Sequence, residues 1–295
     1  MSAATMHPTG ARSIPIALGC LLAGWAALYG PVYWQAFETL WQTEDQGHGP
    51  LVLVVAAWLF WQSRDGLRRL PDRSAATAGW ALVLLGLSLY LVGRLLAFHP
   101  FTFGSQVPLV AGLLLLSKGM PGLRLAWFAV LFLIFMVPLP GSLVDASTQS
   151  LKQWISVLVT EILHAVGYPI SRTGVTLSIG QYQLLVADAC SGMHSMFSLS
   201  ALGSLYVYLM ARERRLHNAI MLALILPTAF FANIIRVIIL VLITYYFGEE
   251  AGRGFLHGFA GLALLAVSLL MLFLADAVLL RVIKPRGALR QMPAA

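Results

Sequence analysis

Apolar runs of about 20 residues, long enough to cross a bilayer core, recur along this chain with almost no charge inside them. A soluble α/β protein also has apolar strands, but it does not repeat uninterrupted runs of that length. The reading is therefore of an all-α polytopic membrane protein. Composition agrees, because 59% of the 295 residues are hydrophobic and only 11% charged, so most of the surface has to face lipid. The net charge of +7 does not point to nucleic acid. Its basic residues sit in short connections between apolar runs, as membrane orientation signals do, and not on an amphipathic face or a tail.

The first run spans about Ser13 to Phe37, follows Arg12 and precedes an acidic connection of Glu38, Glu44 and Asp45. It has the form of a signal anchor. Leu18-Gly19-Cys20 faintly resembles a lipoprotein cleavage site, but the run stays apolar well past Cys20, which favours a retained helix. A second run, Pro50 to Trp61, ends in Arg64, Arg68, Arg69 and Arg73, the densest basic connection and so a cytoplasmic one. A third, about Ala78 to Phe98, leads through His99-Pro100 to a fourth, about Phe103 to Leu116, and Lys118 and Arg124 put the next connection inside as well. The fifth, Leu125 to Val137, is stopped by Pro138-Leu139-Pro140-Gly141, and parity makes its exit external.

Leu151 to Val166 has helical apolar spacing but contains Lys152, Glu161 and His164. Arg212, Arg214 and Arg215 are internal by charge, so the helix from about Gly192 to Met210 runs from outside to inside. One more span at Leu151 to Val166 would reverse it, and that segment is therefore expected as an amphipathic helix on the outer interface. Val175 to Ile179 and Tyr182 to Val186 alternate around Gly180-Gln181 and predict a small external hairpin. Two last spans, about Asn218 to Phe247 and about Phe255 to Leu280, flank Gly248 to Arg253. The expectation is eight spans in a single integral-membrane domain over residues 1–295, with both chain ends cytoplasmic and no repeat or separate soluble domain.

Within that layout three residues need a chemical reason. Cys190 stands at the mouth of the apolar Gly192 helix, flanked by Asp188, Ser191, Gly192 and Ser195. Helix N-terminal amides and the helix dipole favour a thiolate there, although a cysteine taken at random is more often a small buried residue. Arg236 lies in the outer half of the seventh span. A charge in hydrocarbon costs roughly 2.5 to 3.5 kcal/mol on insertion scales, so such an arginine usually faces a polar cavity or a partner; Arg94, nearer a helix end, fits snorkelling better. Asn233, one turn before Arg236, can bond its guanidinium or line the same cavity. His257 opens the eighth span. Beside a cysteine, an imidazole can stabilise the thiolate and protonate a departing amine, and Arg236 can supply positive charge to a tetrahedral oxyanion. One difficulty is depth: a straight helix puts Arg236 about 16 Å below Gly248, so the helix has to project beyond the bilayer or line a funnel.

Ala189-Cys190-Ser191-Gly192 with Ser195, Asn233-x-x-Arg236 and His257-x-x-x-Gly261 resemble the three motifs of the exosortase family, and so does His48-Gly49 before the second span. The likeness covers nearly the whole chain in order, spacing and span count. It implies a bacterial inner-membrane cysteine transpeptidase whose site faces the periplasm. Its partners would be exported proteins bearing a C-terminal Pro-Glu-Pro (PEP-type) sorting signal, a transmembrane helix and a basic tail, in organisms that make exopolysaccharide, together with an acceptor nucleophile of unknown identity. The resemblance makes Cys190 the nucleophile, His257 the proton shuttle and Arg236 the transition-state stabiliser, with Asn233, Ser191, Gly192 and Ser195 in support. No extra C-terminal domain of the kind some relatives have is expected.

His194, four residues after Cys190, is a rival base on the same helix face, and Asp188 reads as a helix N-cap whose charge opposes thiolate formation. No cofactor is called for. His48, His194 and His257 have no metal-ligand spacing. Two other classes stay open: a transporter or exopolysaccharide-export subunit in which Arg236 binds an anion, which lacks the expected repeats or broken helix pairs, and a membrane scaffold. A hydrolytic intramembrane protease differs from the main reading only in its acceptor.

Overall fold

The structure, a computed structural model, describes residues 13–43, 46–185, 192–210, 215–258 and 260–282, and only the backbone of 13–18, 20, 22, 142–145, 147–148, 192–196, 255–258 and 260–265. Two compact units divide the chain, Met1–Pro50 and Leu51–Ala295. In the first, α1 (Ser13–Glu38) is followed by a 3-10 turn, Leu40–Gln42. An aromatic column organises it. Trp25, Tyr29, Tyr33 and Trp41 follow one another at centroid separations of 4.4, 6.0 and 6.0 Å, and Gly49, with no Cβ, leaves room for the Trp41 indole.

The second unit takes up α2 (Gly49–Arg69), which begins at the boundary, and continues with α3 (Ala76–Leu95), α4 (His99–Gly104), α5 (Gln106–Phe132) and a 3-10 turn, Leu133–Met136. Gly79, Gly86 and Gly93 fall seven residues apart on α3 and face Leu116, Leu109 and Thr102 in antiparallel order. A Cβ on Gly86 would stand 2.9 Å from the backbone nitrogen of Leu109. Between lipid-exposed helices no water is expelled on contact, so close backbone approach through small residues is what holds such a pair. α5 is not one straight rod, because Gly119 has φ +66 and breaks it. The break is pinned: Lys118 Nζ donates to Leu70 O (3.1 Å) and Asp72 Oδ1 (2.6 Å), and a side chain at 119 would meet Arg73 O. The basic connection expected between Leu116 and Leu125 is thus a sharp break, at the same end as the one after α2.

Beyond Gly119 the chain returns and packs on α7 (Gly192–Met210). Phe128 stacks on Tyr208 at 4.0 Å, while Phe135 meets Phe197 near the other end of α7. Met210 and Arg215 therefore share an end with Lys118 and Arg73, and Gly192 is at the opposite end. α8 (Arg215–Phe247) runs back from the basic end, with Ile225 filling the space left by Gly203 of α7. Gly248, at φ +88, turns the chain into α9 (Glu249–Gly258), followed by α10 (Ala260–Val282).

At the far end of α8, α6 (Gly141–Ala165) and a three-stranded antiparallel sheet form a cap. The strands are β1 (Ile170–Thr173), β2 (Thr176–Ile179) and β3 (Tyr182–Leu185) in that order. Ile179 pairs with Tyr182 across Gly180-Gln181, and Gly180 has φ +55, a conformation that suits glycine at the first position of a two-residue turn. Ile155, Val159 and Leu163 of α6 pack with Leu177 and Ile179 against Ile234, Val237, Leu240 and Val241 of α8.

Three features differ from the sequence reading. α6 starts ten residues earlier than the segment Leu151 to Val166; residues 142–150 are mostly polar and hide the helix from a search for apolar runs. β1 adds a third strand, with Ile170 its one buried residue, too little alternation to register. The Gly248-to-Arg253 connection is itself mostly helix, so His257 is near the end of α9 and does not open the last long helix. Among the described residues three stretches are long and apolar enough to cross a membrane: Ala76–Leu95, His99–Met136, which contains the Gly119 break, and Arg215–Phe247.

Candidate active site

Arg236 and Asn233 are on the packed face of α8, 5% and 2% exposed, while Phe231 and Ile235 on the other side are 53% and 38% exposed. Both residues take part in interactions with neighbouring groups. A guanidinium so enclosed has little access to bulk water, which strengthens any charge interaction it makes.

Helical pitch relates these residues to the others. Arg236 is 11 residues beyond Ile225, about three turns, which brings it back to the same face of α8. Ile225 faces Gly203 of the antiparallel α7, and 11 residues before Gly203 is Gly192, two residues after Cys190. By axial rise, and with Pro227 inside the interval on α8, Arg236 therefore falls near the level of the N-terminal turn of α7. Depth is consistent too. Arg236 is 21 residues from Arg215, about 31 Å along the axis, close to the roughly 30 Å of a hydrocarbon core. Of the 11 residues beyond it, Val237, Leu240 and Val241 are buried against α6 and the sheet.

An aromatic cluster fastens the sheet to the end of α8. Tyr168 and Tyr246 hydroxyls are 2.9 Å apart, Tyr168 meets Tyr245 edge to face at 5.6 Å, and Tyr245 approaches Gly180. The hydrogen bond with Tyr246, helped by partial desolvation, raises the Tyr168 pKa above the ordinary value of 10.0.

Of the residues singled out from sequence, Cys190, Ser191 and Asp188 lie outside the described residues. Gly192, His194 and Ser195 fall in the first turns of α7 and His257 in the last turn of α9, each described in backbone only. α9 doubles back along α8, with Gly252 against Thr244, so His257 is on a segment travelling toward the level of Arg236. His48 belongs to the first unit and is half-buried.

A family model described as transmembrane exosortase matches residues 40–274. The chain belongs to the transmembrane exosortase family. The match takes in α2 through most of α10, including Cys190, Asn233, Arg236 and His257, and membership makes this exosortase a multi-pass membrane protein of a transpeptidase family acting on exported proteins. No curated protein and no solved structure matches this exosortase.

Sequence reasoning passed over one group. Tyr206 of α7, His217 of α8 and Asp276 of α10 meet in the interior, where the Asp276 carboxylate accepts from Tyr206 OH at 2.7 Å and from His217 Nε2 at 2.6 Å. The signal was an aspartate inside the last apolar run, the same kind of signal that singled out Arg236.

Proposed function

We propose that this exosortase is a cysteine transpeptidase of the bacterial inner membrane, with its site on the periplasmic side. The observation that carries the reading is the buried Arg236 with Asn233, level by helical pitch with the turn that follows Cys190 and at the end of the bundle away from the basic connections. In this reading the Cys190 thiolate attacks the scissile carbonyl of a C-terminal PEP-type sorting signal. The Arg236 guanidinium stabilises the tetrahedral oxyanion, and His257 gives a proton to the departing amine as the C–N bond breaks. A thioester remains on Cys190. The acceptor nucleophile then attacks the thioester carbonyl and releases the thiolate. Asn233 orients Arg236, and Ser191, Gly192 and Ser195 shape the N-terminal turn of α7, whose amides favour the thiolate. The bilayer and the exported substrate are the partners, and no cofactor takes part.

The test is a tagged substrate with a C-terminal sorting signal, co-expressed with wild type or Cys190→Ala in membranes free of another copy of the enzyme. Wild type should process it through a thioester that hydroxylamine intercepts, and Cys190→Ala should not. Normal processing by Cys190→Ala would sink the cysteine mechanism and leave the export-subunit reading.

A further inference from the structure

The interior group at the basic end of the bundle has no part in the chemistry just described, yet it takes one residue from each helix that leads to that chemistry. Tyr206 is on α7, which starts two residues after Cys190; His217 is on α8 with Arg236; Asp276 is on α10, which follows α9 and His257. His217 and Asp276 are 3% and 5% exposed. A carboxylate only accepts hydrogen bonds, so Tyr206 OH donates to Oδ2 and His217 Nε2 donates to Oδ1, at 2.7 and 2.6 Å. Fourteen residues separate Tyr206 from Gly192, and 19 separate both His217 from Arg236 and Asp276 from His257. At about 1.5 Å per residue the first two are roughly 21 Å along α7 and 28 Å along α8.

We propose that Tyr206, His217 and Asp276 form a positioning clasp for the reaction at the opposite end: they lock α7, α8 and α10 in one axial register, so that Cys190, Arg236 and His257 reach the same level. This deepens the transpeptidase reading and rests on it for the roles of those three residues. Apolar side chains such as Met221, Val207 and Leu272, packed beside the clasp, have no directional partner, and in lipid no water is expelled on contact to add to the packing that favours one register. A buried carboxylate held by hydrogen bonds from Tyr206 and His217 cannot slide without losing them, and register specification is the best attested use of buried polar groups. Catalysis depends on sub-ångström placement, whereas binding of a long substrate tolerates more, so loss of the clasp acts on kcat before KM.

The experiment has two arms, in membranes. In the first, Asp276→Asn and the milder Tyr206→Phe are assayed on the tagged substrate per folded enzyme, alongside the exchanged pair His217→Asp with Asp276→His. The expected result is a kcat at least tenfold lower at unchanged KM for Asp276→Asn, a smaller loss for Tyr206→Phe, and recovery to within about threefold in the exchanged pair. In the second arm, Gly203→Cys with Ile225→Cys reports the α7–α8 register by oxidative cross-linking, in a background of Cys20→Ser and Cys190→Ser. Cross-linking should be efficient with the clasp intact and fall at least fivefold with Asp276→Asn. Wild-type cross-linking in Asp276→Asn overturns the proposal, and so does a kcat loss that the exchange does not restore. Should wild type itself fail to process the substrate, the transpeptidase reading falls, and the cross-linking arm still decides whether the clasp sets register.

Discussion

At the residue scale the weight rests on Arg236. Its neighbours Ala232 and Val237 are each 1% exposed, so the guanidinium is placed by packing and needs no rearrangement to meet a developing charge. Lysine keeps the charge but loses the planar fork of donors. Arg236→Lys should therefore lower kcat by about 10²- to 10³-fold, the range for loss of one oxyanion donor, measured as thioester formation per folded enzyme; activity within threefold of wild type would remove Arg236 from the transition state. Part of this was readable in advance, because a lone arginine in an apolar run is conspicuous. Asp276 was equally conspicuous but had no motif beside it, and its meaning depended on two partners 59 and 70 residues away.

At the element scale, the α3–α5 pairing and the sheet respond to different perturbations. Gly86→Val would drive side-chain atoms into the Leu109 backbone and Ser105 O, where even a Cβ stands at 2.9 to 3.0 Å. A cost of about 1 to 3 kcal/mol is expected, as for overpacked cores, seen as earlier loss of folded protein in a detergent thermal melt, whereas Gly141→Ala, at a glycine with open space around it, should be close to neutral. The sheet is held partly by Tyr168. Because its folded pKa is raised above the ordinary value of 10.0, its contribution is fully present below that pH and is lost as pH rises through the folded value. The protection of β1 and β2 amides relative to their base-catalysed intrinsic exchange should fall above about pH 10 in wild type, and Tyr168→Phe should remove that fall while being less protected at pH 8. An unchanged alkaline profile in Tyr168→Phe would show that the tyrosine pair does not fasten the sheet.

At the scale of the whole molecule, Leu70 to Arg73, Lys118 and Arg215 mark one end of the bundle, and Gly192, Gly248 and the sheet mark the other. A periplasm-specific reporter fused after Gly180 should be active, and the same reporter after Arg73 should be silent; the reverse pattern would turn the protein over and put its site in the cytoplasm. The two cysteines test the layout independently. The sequence reading puts Cys20 on the inner half of the first span and Cys190 at the outer face, and a disulfide requires Cα atoms within about 7 Å. Non-reducing and reducing gels should show the same monomer mobility, and mass spectrometry should find both thiols free.

The sequence by itself determined that this chain is a multi-pass membrane protein of the exosortase family and where most of its long helices fall, because hydropathy and motif spacing are local properties. α1 and α7 begin and end within a residue of where the apolar runs predicted. The amphipathic helix, by contrast, was read from only the apolar part of α6, and β1 was not read at all, since both are stabilised by what they pack against and not by their own pattern. The depth of Arg236 likewise depended on tertiary structure. In sequence α8 is simply a run of 33 residues, and only the folded structure shows that its last third packs against α6 and the sheet. The clasp was decided by tertiary structure entirely, because the worth of a buried carboxylate depends on the partners that reach it, and those arrive from helices that become neighbours only when the chain folds.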